Sequence, residues 1–168
     1  LMDYNDTNVV IMAVIISNLV ALLMLWCSVK KPVIARLLFF LLFAWAGITN
    51  TLTALNRPEV YLEYAEFAWL PVYRDFILGY FSEHTRLFVL CIAVCQLLVA
   101  ISMLMKGNLF RMGCAGGILF LLAILPLGWG SGSPSPLIWA FGLWVLARKN
   151  SIRYLWHHLR KNPSPVSP

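Results

Sequence analysis

From Val9 to Val29 the chain runs for 21 residues without a charged side chain. As an α-helix that stretch is about 30 Å long, which matches the hydrocarbon thickness of a bilayer. The residues before it carry Asp3 and Asp6 and no basic residue, the wrong flank for a secretory signal. Cys27 follows Leu25 and Trp26, which are too bulky for a lipoprotein cleavage site. The stretch is therefore expected to be a retained helix, stopped by Lys30-Lys31-Pro32.

Three more long apolar runs follow, Leu37–Leu55, Leu87–Met105 and Phe110–Leu127. A fifth, Leu137–Ala147, has only 11 residues. The chain is 61% hydrophobic and 12% charged, where soluble domains carry about 25% charge. A water-soluble fold of 168 residues cannot hide that much apolar surface. The expectation is one all-α integral-membrane domain over residues 1–161, a bundle of five transmembrane helices, followed by a disordered Pro/Ser-rich tail at 162–168.

The short fifth run has two readings. It is a re-entrant hairpin, or the Gly128–Pro136 loop sinks between its neighbours so that the helix need only cross the rest. Charge favours the second. Five crossings with the N-terminus outside put Lys30, Lys31, Arg36, Lys106, Arg111, Arg148, Lys149, Arg153, Arg160 and Lys161 on the inner side with no acidic residue. Arg57, Arg74 and Arg86 fall outside with all seven acidic residues. That is the positive-inside pattern, and it reads the net charge of +6 as topology, so nucleic acid is not an expected partner. Arg36, at the mouth of the second span, is expected to snorkel outward.

The segment between the second and third spans, residues 56–86, is the one chemically mixed stretch. Glu59, Glu63 and Glu66 fall at i, i+4, i+7, and Leu62, Ala65 and Trp69 form a second stripe. This predicts a short amphipathic helix lying in the outer interface and ended by Pro71. Tyr73–Glu83 is expected to lead into the third span. The candidate ligand- or partner-binding residues of this cap are Tyr61, Glu63, Glu66, Trp69, Tyr73, Arg74, Asp75, Tyr80, His84 and Arg86. Aromatics at headgroup level also serve as plain interface anchors. Carboxylates, arginines and a histidine at a bundle mouth can instead bind a polar head group or shuttle protons, with His84 the most plausible titrating residue.

At the other end, Ile152, Leu155, Trp156 and Leu159 recur at helical spacing among basic residues. This predicts a basic amphipathic helix over 148–161 on the cytoplasmic face, with Arg148, Lys149, Arg153, Trp156, Arg160 and Lys161 meeting anionic lipid. No ionisable residue falls in the middle of a span, which speaks against a secondary transporter, a proton channel or an intramembrane haem held by two histidines. Asn50 and Gln96 are polar at depth, like Ser17, Asn18 and Thr49. They either hydrogen-bond between helices or line a cavity for an amphiphile such as a quinone head group. Gly113-x-x-x-Gly117 permits close helix approach. Cys27, Cys91, Cys95 and Cys114 have no metal-type spacing and read as small buried residues, Cys91 and Cys95 sharing a helix face. No metal site is expected.

The order of these features resembles the DoxX-like membrane proteins over about two-thirds of the chain, from Arg36 to Lys149. The resemblance lies in the entering helix ARLLFFLLFAWAGITNTL, the proline-broken linker YLEYAEFAWLPVY, the helical pair LFVLCIAVCQLLVAISMLMKGNLFRMGCAGGILFLLAILPLG and a last short helix. It implies a four-helix core, here with an added N-terminal helix and a basic tail. It further implies a bacterial inner-membrane subunit linked to quinone, sulfur oxidation or oxidative stress, with partner subunits in the membrane or periplasm. No catalytic residue is carried over from it. The alternatives are a non-catalytic scaffold or assembly subunit, with Gly113 and Gly117 against its partner, and a carrier for a lipid-like or small neutral substrate.

Overall fold

The computed structural model describes residues 4–149 together with Tyr154 and Leu155. Every regular element among them is helical. The long ones are α1 (Tyr4–Lys30) and α2 (Pro32–Asn56), then, after two short helices α3 (Tyr64–Phe67) and α4 (Pro71–Phe76), α5 (Ser82–Leu104), α6 (Gly107–Ile124) and α7 (Ser135–Arg148). Four helical stretches, Asn8–Lys30, Pro32–Asn56, Pro71–Leu104 and Gly107–Ser131, are long and apolar enough to cross a membrane. They fit an integral membrane protein.

The turns are short because the sequence places its breakers well. Lys31 alone separates α1 from α2, and Pro32 opens α2 at the first helical position, where a missing N–H goes unnoticed. Gly107, at φ +59°, turns α5 into α6. The five long helices pack in a ring in the order α1, α2, α5, α6, α7 and back to α1. The ring interior is filled by Phe39, Phe43, Val99, Met103, Phe110, Cys114, Leu121 and Leu143. A second, smaller cluster of Ala54, Ala65, Ile77, Phe81 and Val89 lies under the cap.

Helix α7 has 14 residues, about 21 Å of rise. The carbonyl of Gly132, just before it, accepts hydrogen bonds from Ser17 Oγ at 3.4 Å and Asn18 Nδ2 at 3.1 Å. Both donors lie near the middle of α1. At the far end, Lys149 Nζ donates to the carbonyl of Val29. So α7 runs parallel to the second half of α1, and the preceding loop is drawn down into the bundle. Gly128 and Gly132, at φ +62° and +72°, supply the left-handed turns that this descent needs. As a result Lys30, Lys31, Lys106, Arg148 and Lys149 gather at one end of the ring. Glu59, Glu63, Glu66, Asp75 and Glu83 sit at the other.

Several expectations are corrected. The cap is not one amphipathic helix ended by Pro71. A 3-10 turn over Pro58–Glu63 precedes the single turn of α3, and the break comes at Ala68, whose ψ of 124° is extended. Pro71 opens α4, and its ring holds Leu70 out of the helical region. Helix α4 then passes through a π turn at Ile77–Phe81 into α5, giving a 34-residue stretch with kinks at Gly79 and His84. The second half of the cap therefore runs into the third span, the course expected of Tyr73–Glu83. Arg36 does not snorkel outward. It is 3% exposed and turned toward the end of α5. Cys91 and Cys95 share a face, as their spacing requires, but that face is exposed, whereas Cys27 and Cys114 are buried.

Candidate functional site

The cap-bearing end is built from the Pro58–Phe67 segment, the α4–α5 junction and the loop after α6. Between Pro58–Leu62 and the first turns of α5 lies an open groove of about 610 Å³. Its walls are Pro58, Glu59 and Leu62 on one side and Ser82 to Leu87, with Leu90, on the other. Glu59, Glu83, His84 and Arg86 therefore line the same groove as Leu62, Leu87 and Leu90. The spacing of Glu83, Leu87 and Leu90 (i, i+4, i+7) explains the gradient, since one helix face carries charge at its mouth and leucine further in.

His84 sits at a break in the helix, with φ −128° and ψ 21°. Its ring lies 4.8 Å from that of Tyr80, and its Nδ1 is 3.3 Å from the Tyr80 carbonyl oxygen. The break follows directly on the π turn at Ile77–Phe81, an irregularity that is frequent at functional sites. Arg86 Nε donates to the carbonyl of Ala54 at 3.3 Å, which ties the groove wall to the end of α2.

Beside the groove a chain of hydrogen bonds descends from the cap. Tyr61 Oη donates to Asn50 Oδ1 at 2.8 Å, and Asn50 Nδ2 donates to Gln96 Oε1 at 2.8 Å. Gln96 is buried. The Tyr61 and Tyr64 rings stack at 6.1 Å, and Tyr64 lies over the backbone of Gly130, where a Cβ would meet its ring at 2.6 Å. Burial pushes the Tyr61 hydroxyl up, against a hydrogen bond from Thr53, with a smaller upward push from Tyr64. Tyr64 is also raised, first by burial and then by the carboxylate of Glu63.

The residues singled out from sequence thus separate by position. Tyr80, His84 and Arg86 belong to the groove region, and Tyr61, Asn50 and Gln96 to the polar chain. Trp69 and Tyr73 strap the cap to the end of α6: the backbone N–H of Trp69 donates to the Pro126 carbonyl at 2.9 Å and Tyr73 Oη to the Ala123 carbonyl at 2.9 Å. Glu63, Glu66, Arg74 and Asp75 are exposed. Glu59 and Glu83 line the groove and were not singled out. The signal for Glu83 was its placement on the same face as Leu87, whereas Glu59 comes to the groove through the 3-10 turn over Pro58–Glu63.

Gly113 and Gly117 pack inside the bundle. A Cβ on Gly113 would lie 1.5 Å from Ser102 Oγ, and one on Gly117 2.8 Å from Leu143. These glycines seat α6 against α5 and α7. At the basic end, Arg148 lies over the Trp144 ring at 4.4 Å and Lys106 over Tyr154 at 4.8 Å. Arg153, Trp156, Arg160, Lys161 and the 162–168 tail lie outside the described residues. Among the described residues, no three His, Cys, Asp or Glu side chains are grouped to hold a metal ion.

Comparison with protein-family models, with curated proteins and with solved structures gives no match. The function must come from the chemistry of these residues.

Proposed function

We propose that the chain is a small multi-pass membrane subunit whose groove at the acidic–aromatic end binds the polar head of a membrane-dissolved amphiphile of the quinone class. The observation that carries this reading is the groove itself, with His84, Arg86, Glu59 and Glu83 at its mouth and Leu62, Leu87 and Leu90 along its walls. An amphiphile needs that combination, since apolar walls take its tail and a few placed polar groups orient its head. The resemblance to DoxX-like proteins points to the same ligand class. The gathering of basic residues at the opposite end supports five crossings with the N-terminus outside and the C-terminus cytoplasmic, in a bacterial inner membrane.

The residues present suit a quinone head. Arg86 and an imidazole N–H of His84 donate hydrogen bonds of the kind ring carbonyls accept. Glu59 and Glu83 add hydrogen-bond acceptors at the groove mouth. A quinone supplies two-electron, two-proton redox chemistry when bound. Its electrons would come from a partner subunit.

The test is photolabelling with an azido-quinone in native membranes. Labelled peptides from 58–62 and 82–90, depleted by His84→Ala and untouched by Glu63→Ala, are expected. If no label enters these segments, and neither His84→Ala nor Arg86→Ala alters quinone reduction in those membranes, the reading is wrong.

A scaffold or assembly role is favoured by one observation: Glu63, Glu66, Arg74 and Asp75 point away from the bundle and are exposed. A stoichiometric partner that co-purifies with the wild type and is lost on charge reversal of Glu63 and Glu66, with quinone labelling intact, would establish it.

A further inference from the structure

The seam between α1 and the start of α7 carries polar atoms that the fold leaves over. Ser135, in the first turn of α7, has no exposed surface, and its Oγ makes no hydrogen bond with a described residue. Asn18 uses its amide hydrogens on the carbonyls of Val14 at 2.8 Å and Gly132 at 3.1 Å. Its Oδ1 is buried with no donor among the described residues. Trp139, one helical turn beyond Ser135, buries its indole Nε1 with no acceptor among the described residues. Ser17 and Ser135 converge on the same loop: a Cβ built on Gly132 would lie 2.8 Å from Ser17 Oγ and 3.4 Å from Ser135 Oγ.

Buried polar atoms are almost always paired, because desolvating them without a partner is unfavourable. The three left over are one acceptor, one donor and one hydroxyl that can be either. All are neutral, and no Asp, Glu, Lys or Arg occurs in residues 9–29 or 112–147. A charged ligand would find no counter-charge. Water fits the set: it is small, it donates two hydrogen bonds and accepts two, and buried waters typically bridge such orphaned groups.

We propose that ordered water occupies this seam, held by Asn18 Oδ1, Ser135 Oγ and Trp139 Nε1, and that it helps fix the loop before α7 at half the depth of α1. The hydrated seam is separate from the groove and does not depend on the quinone reading. It makes the short helix viable, since a loop drawn into an apolar layer has to satisfy its polar groups there.

Hydroxyl-radical footprinting by brief X-ray exposure, on the full chain in lipid nanodiscs, tests this. Radiolysis of a bound water oxidises the side chain beside it. Trp139 is expected to be oxidised several-fold faster than Trp45, which is 67% exposed on the apolar outer face of α2. Asn18→Leu with Ser135→Ala is expected to abolish that excess, while the cap residue Trp69 keeps its rate as the control for folding. Should the double variant fail that control, Ser135→Ala alone is read in the same way. A Trp139 rate no higher than that of Trp45, or a rate unchanged in the variants, overturns the proposal.

Discussion

Arg36 donates to the carbonyl oxygen of Met103 from both Nε, at 2.9 Å, and Nη2, at 2.7 Å. Nη2 also reaches the carbonyl of Met105 at 2.5 Å, and the guanidinium lies 4.5 Å from the centre of the Phe110 ring. The last carbonyls of a helix have no partner within it, and α5 obtains its partner from α2. The antiparallel pair is tied at both ends in the same way. Arg86 is the fifth residue of α5, as Arg36 is of α2, and it donates to Ala54 near the end of α2.

The two arginines are expected to differ in weight. Arg36→Met leaves desolvated carbonyls where a buried charged donor stood, a loss of about 3 kcal/mol in stability. Arg36→Lys should recover only part of it, because an ammonium lacks the planar fork. Arg86→Ala breaks one long, part-buried bond made by an exposed residue and should lose less than about 1 kcal/mol. Unfolding of the purified variants by graded denaturing detergent measures the order. Equal losses at the two sites would contradict the assignment.

The close approach of α5 and α6 rests on Gly113 and Ser102. Because a Cβ on Gly113 would lie 2.3 Å from the Ser102 Cβ as well as 1.5 Å from its Oγ, Gly113→Ala should destabilise the bundle by about 1–3 kcal/mol. Ser102→Ala should not relieve it, since the Cβ clash remains. Ser102→Gly should, less the helix-propensity loss of about 1 kcal/mol. Thermal unfolding of the four proteins reads this directly.

What the sequence made legible follows from the range of each interaction. Apolar runs of about twenty residues set the long helices, because in lipid each helix satisfies its own backbone. The depth of α7 depends on Ser17 and Asn18 meeting Gly132, more than a hundred residues away, and no local pattern records that. Pro71 was visible as a breaker, yet proline serves equally well as a first residue, and only Ala68 shows where the chain turns. His84 and Arg86 stood out as charges at a span mouth. Glu59 joins them only because the 3-10 turn brings Pro58–Leu62 against α5. Arg36 was placed at the right end of the right helix with the wrong direction, because the acceptors that draw it inward belong to α5.

The polar chain of Tyr61, Asn50 and Gln96 should behave as a unit. Gln96→Leu strips the acceptor from Asn50 Nδ2, and Asn50→Leu strips the donor from Gln96. Each single change should destabilise more than its share of the double. A double-mutant cycle is expected to give a coupling of about 0.6–1.7 kcal/mol, the range for hydrogen bonds between helices in membranes. Additive losses would mean that the two amides are satisfied elsewhere in the folded protein.

The same cap should loosen in alkali. Tyr61 and Tyr64 are both raised above the ordinary tyrosine value, chiefly by burial. Below a pH of about 10 both hydroxyls are neutral in the folded and the unfolded chain, and their contribution is fully present. Above it the unfolded chain releases these protons first, so the folded state binds more protons and stability falls as pH rises through the folded values. Tyrosinate absorbance is therefore expected to show a late-titrating fraction that disappears in the Tyr61→Phe, Tyr64→Phe double variant. In that variant, unfolding measured above pH 10 should lose part of its pH dependence. A titration with no late fraction would place both hydroxyls in water, and with them the cap that is held here against Gly130 and Asn50.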